Sequence, residues 1–207
     1  EKQVAKNGRR ETGHEWGTNP CSEIILRPYQ FCNLSSVIVR PEDTKETLLK
    51  KVRLATILGT FQSTLTNFPY LRKVWQKNTE EERLLGVSMT GILDNVLLNN
   101  PDDENLPALL EELKAHAVHT NAQFAGLLGI NASVAITAIK PEGTVSQLTG
   151  TASGIHPQHS QYYIRRVRSD NKDPLTDFLK TQGFASEPCV MKPDSTTVFS
   201  FPVKVAD

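Results

Sequence analysis

Apolar positions along this chain switch between helical and strand periodicity, and the switches outline its elements. In "PEDTKETLLKKVRLATILGTFQSTL", Asp43 followed by Glu46 has the form of a capping box, and Leu48, Val52, Ala55 and Leu58 share one helical face, which predicts a helix. "NTEEERLLG" predicts a second, short helix, "VSMTG" a buried strand and "ILDNVLL" a brief helix. The longest periodic segment runs from Asn105 to Leu128, with Pro107 near its start and Gly129 after its end, the usual helix punctuation. "SVAITAIK" is β-branched and apolar almost throughout, as suits a strand covered on both faces, and Pro141 closes it. "YYIRRVR" and "TTVFSFPV" alternate like strands, and between them "PLTDFLKTQG" reads as a helix ended by Gly183. Helices interleaved with buried strands define an α/β protein without internal repeats or a low-complexity linker.

Composition narrows the function classes. The 207 residues are 38% hydrophobic and 22% charged, enough for a real core. Lys plus Arg and Asp plus Glu number 23 each, so no broad positive field exists to hold nucleic acid. No apolar run approaches the roughly 20 residues of a membrane span, and the polar "EKQVAKNGRRETGHEWG" is no signal peptide. A reducing cytoplasm is the expected location. Three cysteines without Cys-x-x-Cys spacing argue against a disulfide framework and against a metal site. The sequence opens without methionine and stops after a strand-like run, so a piece of a longer chain is expected.

Two stretches could carry chemistry. In "GTNPCSEIILRPYQFCNLSS", Asn19, Cys21 and Glu23 alternate, and an extended backbone would present an amide, a thiol and a carboxylate on one side. An Asn-Pro turn followed by a packed cysteine and a solvated glutamate explains the same residues. In "SVAITAIKPEGTVSQLTG", a buried strand runs into Pro141, Glu142, Gly143 and Thr144 and then a short helical segment. Gly143 allows close backbone approach, Thr144 and Ser146 offer hydroxyls, and free N–H groups at a helix start attract anions. An ordinary strand-to-helix connection is the alternative. The loop lacks both the Gly-Lys-Ser/Thr of a Walker motif and the three-glycine dinucleotide fingerprint.

Other residues carry weaker signals. A base for Cys21 could come from His14, His116, His119, His156 or His159, as a cysteine hydrolase would require, although His116 and His119 lie on a polar helix. Arg165, Arg166 and Arg168 could bind phosphate, but the last two fit the outer face of a strand. Cys189 reads as a packing or surface residue.

Taken together, "NPCSEIILRPYQFCNLSSV" and the later "ITAIKPEGTVSQLTGTASGIHP" resemble the catalytic chain of ribonucleotide reductases of the adenosylcobalamin-dependent class (class II). The style of "CSEIILRP", "FCNLS", "PEGTVSQL" and "YYIRRVR" is closest to the single-chain ribonucleoside-triphosphate reductase branch. The resemblance implies a ten-stranded α/β barrel of two half-barrels with a central finger loop. Residues 1–207 would be a fragment of that barrel domain, mainly its second half, with the finger loop near 17–36 and a phosphate loop near 140–150. It implies adenosylcobalamin as cofactor, a ribonucleotide as substrate, a thioredoxin-like reductant, a monomeric full-length enzyme and an inactive isolated fragment. By the same resemblance Cys21 is the radical cysteine, Glu23 the base, Asn19 the amide that holds the sugar, and Cys32 one member of the reducing dithiol. Pro141, Glu142, Gly143, Thr144 and Ser146 would form the substrate phosphate site. Tyr162 and Tyr163 are read as strand residues, not as a radical relay. The reading from another class is a non-catalytic nucleotide-binding α/β domain with Cys21 packed inside.

Overall fold

A computed structural model describes residues 10–205. They form two compact units, Glu1–Pro157 and Gln158–Asp207. The first carries the candidate residues.

It begins with a small antiparallel hairpin, β1 (Gly17–Thr18) and β2 (Ile25–Leu26), paired Gly17 with Leu26 and Thr18 with Ile25. Next come β3 (Asn33–Ile38), helices α1 (Lys45–Gln62) and α2 (Lys73–Glu82), and β4 (Leu85–Thr90). β3 and β4 are parallel and pair in register from Asn33–Leu85 to Ile38–Thr90. The expected buried strand "SVAITAIK" forms no named strand: it lies along the far side of β4, with Thr137 and Ile139 exposed rather than covered. There Leu85 N–H donates to Ala135 O and Val87 N–H to Ile136 O, with a parallel bridge between Val87 and Thr137. After β4 a single 3-10 turn, Ile92–Asp94, stands where a brief helix was expected. Helix α3 (Leu106–Leu128) follows, with Pro107 in its first turn and Gly129 as a left-handed cap, φ 66°. The five-residue α4 (Val145–Thr149) ends the set.

Val37, Val39, Leu48, Val52, Leu85, Val87, Leu113, Ala117 and Ile136 form the core where α1 and α3 cover the strands. Each larger side chain among them contributes about 1.5–3 kcal/mol by leaving water. The α1 face differs from the one expected. Leu58 is 63% exposed, and the buried row is Leu48, Val52, Thr56, Gly59 and Thr60. Thr56 and Thr60 tolerate burial because their hydroxyls donate to the carbonyls of Val52 and Thr56, at 2.7 and 2.8 Å. Gly59 lets Leu85 approach closely, since a Cβ there would stand 3.1 Å from its Cδ2.

The cap is also shifted by one residue. Thr44 and Thr47 make the reciprocal box, Thr44 N–H donating to Thr47 Oγ1 at 2.9 Å. Asp43 instead accepts from Arg40 N–H, Thr47 Oγ1–H and Lys51 Nζ, while Glu46 accepts from the Thr44 hydroxyl. Helix α2 starts upstream of the expected segment and stops at Arg83, φ 43°, releasing Leu84 and Leu85 into the core.

The second unit is an antiparallel sheet in the order β5 (Tyr162–Asp170), β7 (Thr196–Lys204), β6 (Ser186–Pro188), with α5 (Pro174–Thr181) between β5 and β6. Both predicted strands and the helix are present. Phe199 and Cys189 are buried, the latter as a packing residue, while Arg166 and Arg168 are exposed and Arg166 pairs with Glu187. The α/β class therefore holds. The described residues form three small sheets, of which one is a parallel pair, rather than a ten-stranded barrel wall.

Candidate active site

Pro20 and Cys21 occupy a turn rather than a strand, because Ser22 N–H closes back on Asn19 O at 2.9 Å and Ser22 takes a left-handed φ of 60°. The extended spacing expected for Asn19, Cys21 and Glu23 is thus replaced by a hairpin loop between β1 and β2. Cys21 is exposed in this loop. Asn19 has a local duty: its Oδ1 accepts from Ile24 N–H at 3.0 Å, which staples the hairpin and leaves its amide hydrogens uncommitted. Glu23 is half-buried, and both of its carboxylate oxygens are shielded from solvent with no hydrogen-bond partner among the described residues. Both oxygens are therefore free to accept hydrogen bonds from a hydroxyl brought beside them.

The hairpin is anchored from below. Ile24 is buried and reaches Gly86 of β4, where an added Cβ would stand 3.1 Å from Ile24 Cδ1, 2.5 Å from Leu34 Cδ2 and 3.4 Å from Cys32 Sγ. Gly86 is therefore the small residue that lets hairpin and Cys32 converge on β4. Arg10 Nη1 donates to Ile25 O at 2.8 Å, while its Nε and Nη2 grip Glu82 at 2.9 and 2.7 Å. Burial alone would push the Glu82 carboxyl up, but hydrogen bonds from Arg10 and Gln30 and the charges of Arg10 and Arg27 hold it below its ordinary value of 4.5.

Cys32 lies near this cluster and is half-buried. Burial, reinforced by the Glu23 charge and opposed by Arg10, pushes its thiol up to about 12. Cys32 thus keeps its proton at neutral pH.

A cavity of ≈ 570 Å³ joins the two candidate stretches: Glu23 lines it together with Ser88 and Met89 of β4, Thr137 and Ala138. A larger cavity of ≈ 860 Å³ beside His14, Arg27 and Glu81 is lined by none of Asn19, Cys21, Glu23, Cys32 and the loop residues 141–146. At the loop, Glu142 has a left-handed φ of 56° and is 3% exposed. Its Oε1 accepts from Ser36 Oγ at 2.5 Å and Ser88 Oγ at 3.0 Å, and its Oε2 is buried without a partner. Gly143 and Thr144 are exposed. The N–H groups of Gly143, Thr144 and Val145 have no acceptor among the described residues. Ser146 faces inward instead: it is 2% exposed, its N–H donates to Glu142 O, and its hydroxyl points to Gly143 O. Pro141 contributes its carbonyl to Gly154 N–H at 3.2 Å.

Sequence reasoning missed the supports of this loop. Thr151 to Gly154 is wholly buried, and Thr90 Oγ1 and Gly91 N–H both donate to Ala152 O. A Cβ on Gly154 would fall 2.0 Å from Lys140 O. The "TASG" stretch carried the one available signal, a run of small residues. Among the described residues of this unit, none of His14, His116, His119 and His156 hydrogen-bonds to Cys21; His14 meets Arg27 and His156 the Pro157 carbonyl. No helix among the described residues is long and apolar enough to cross a membrane, and no group of His, Cys, Asp or Glu among them could hold a metal ion.

No family model matches the chain. Individual proteins do, and those named below are adenosylcobalamin-dependent ribonucleotide reductases, to which the chain is similar over about nine-tenths of its length. The adenosylcobalamin-dependent ribonucleoside-triphosphate reductase of Lactobacillus gasseri is 30% identical over 218 residues, covering 94% of this chain and 29% of that protein. The enzyme of the same name from Euglena gracilis is 30% identical over 190 residues, covering 90% and 25% respectively. A crystal structure of a B-12 dependent (class II) ribonucleotide reductase superposes with a TM-score of 0.73 at 29% identity, over 91% of this chain and 29% of that one. The chain thus spans under a third of the length of these relatives.

Proposed function

We propose that this chain carries part of the reaction centre of a ribonucleotide reductase that converts ribonucleotides, as triphosphates, to 2′-deoxyribonucleotides. The observation that carries the reading is the hairpin itself. It pairs an exposed thiol, Cys21, with a carboxylate, Glu23, whose two oxygens have no donors and which lines a cavity shared with β4.

Adenosylcobalamin, when bound, supplies a carbon-centred radical able to take a hydrogen atom from a thiol. Such chemistry needs an approachable sulfur; Cys21 has one and is the residue that would face the cofactor. The Cys21 thiyl radical then abstracts the 3′-hydrogen of the ribose. Glu23 accepts the 3′-hydroxyl proton as the 2′-hydroxyl leaves as water. The amide hydrogens of Asn19 hold the developing 3′-carbonyl oxygen. Cys32 and a partner thiol deliver two electrons and their protons and end as a disulfide, after which Cys21 returns its hydrogen to C3′. The high pKa of Cys32 fits this role, because the sulfur brings its hydrogen with it. The phosphates rest on the loop Pro141–Ser146, chiefly on the N–H groups of Gly143, Thr144 and Val145 and the Thr144 hydroxyl. This grip aligns the ribose with Cys21.

In the full-length protein we place this segment in a ten-stranded barrel with the hairpin as its central finger. The enzyme would be monomeric, cytoplasmic and re-reduced by a thioredoxin-like protein. The test is deoxynucleotide formation by the full-length chain with cobalamin cofactor and dithiol. Cys21→Ser is expected to lower kcat by about 10⁴-fold or more and Glu23→Gln by about 10²–10⁴-fold. Activity retained in Cys21→Ser would refute the assignment.

A further inference from the structure

Glu142 stands in the middle of the anion loop, yet its carboxylate cannot serve an anion. The left-handed backbone at φ 56° is unfavourable for a residue with a Cβ and would suit glycine better. Here it turns the side chain inward. Ser36 and Ser88, the two residues whose hydroxyls meet Oε1, are cross-strand partners in the β3–β4 register. One carboxylate oxygen therefore bridges two neighbouring strands and ties the loop to both. Lys140 N–H reaches the same Ser88 hydroxyl at 3.3 Å, and Ser146 N–H reaches the Glu142 carbonyl at 2.9 Å, so the loop is fixed on either side of this residue. The strands themselves are already paired along their full length and do not need the bridge. Its second oxygen is buried without a donor, a cost that added stability does not repay and that strained functional loops tolerate.

We infer that Glu142 is a positioning residue: its carboxylate, clamped by the Ser36–Ser88 pair, sets the direction in which the Gly143, Thr144 and Val145 N–H groups face a substrate phosphate. The inference rests on the reductase reading of this site. It concerns phosphate affinity rather than the radical steps, and Glu142 touches neither substrate nor cofactor.

The test is equilibrium binding to the full-length chain of a ribonucleoside triphosphate and, separately, of the same nucleoside without phosphate. Variants are Glu142→Ala, Glu142→Gln and the double change Ser36→Ala with Ser88→Ala, each checked for folding by thermal melting. Loss of the clamp is expected to raise the triphosphate Kd about tenfold in Glu142→Ala and in the double variant, and the nucleoside Kd by less than about twofold. Glu142→Gln keeps an acceptor for both hydroxyls and should stay within about threefold of the parent. If Glu142→Ala does not fold, the double variant decides alone. Triphosphate and nucleoside affinities that fall together, or a triphosphate affinity unchanged in the folded variants, overturn the inference while leaving the reductase reading intact. A parent chain that neither binds nor reduces ribonucleotides overturns both.

Discussion

Cys21 and Cys32 sit a short way apart in sequence and in opposite surroundings. One is exposed on a turn whose backbone is closed by Ser22 and stapled by Asn19. The other is packed towards Gly86 beside Glu23, where burial keeps it protonated. Two thiols of one stretch are thereby given different chemistry without any change of residue type. The exposed sulfur is open to reagents, while the shielded one holds its proton; under the proposed function these would be the radical-accepting thiol and the hydrogen donor. The contrast also separates the candidate residues from the parts that support them. The hairpin has two short strands and depends for its position on Ile24 and on the buried Arg10–Glu82 pair beneath it.

The strongest way to break that contrast is to remove the support. Glu82→Ala leaves the buried Arg10 guanidinium without its carboxylate, while Arg27 keeps Glu81, and is expected to cost about 3–5 kcal/mol, measured by urea unfolding. The pH dependence has a definite sign. Because the folded-state Glu82 carboxyl lies below 4.5, its contribution is present above that pH and is lost as pH falls through the depressed folded value. The variant should lack this part of the acid loss.

Alkylation sharpens the same comparison. With a pKa near 12, about one Cys32 in a thousand is thiolate at pH 9, so iodoacetamide should label Cys21 at least about 100-fold faster, as peptide mass mapping can measure. Equal rates would mean that the two environments do not differ in solution. A smaller effect is expected at their junction. Gly86→Ala crowds Leu34, Ile24 and Cys32, whose side-chain ends can shift, and should cost about 1–3 kcal/mol in denaturant unfolding. A loss of stability without faster Cys32 labelling would show that the hairpin is held mainly by the Arg10 network.

Several features were legible in the sequence because they depend on local chemistry. Helix α3 carries in its first turn the proline that marked it and ends at the marking glycine, and the strand-like "TTVFSFPV" forms a strand. Other readings failed where a neighbour decided the outcome. Periodicity put Leu58 on the buried face of α1, but the strands and α3 cover the row through Thr56 and Thr60, whose hydroxyls bond within the helix. Alternation suggested an extended Asn19–Glu23, yet the Asn-Pro step and a left-handed Ser22 made a turn. Ser146 looked like a ligand hydroxyl and is turned inward. Ser36, Ser88 and Gly154 gave no local sign of their part in the loop, since each acts on a residue far away in the chain.

The sequence by itself determined the α/β class, the reductase resemblance and the residue types available for chemistry, because composition, periodicity and motif order are properties of the chain. Only the tertiary structure decided which thiol is open and which is shielded, which way Glu142 points, and that Glu23 and Ser88 line one cavity. Burial and hydrogen bonding between distant segments set those outcomes, and such energies belong to packed neighbours rather than to any single stretch.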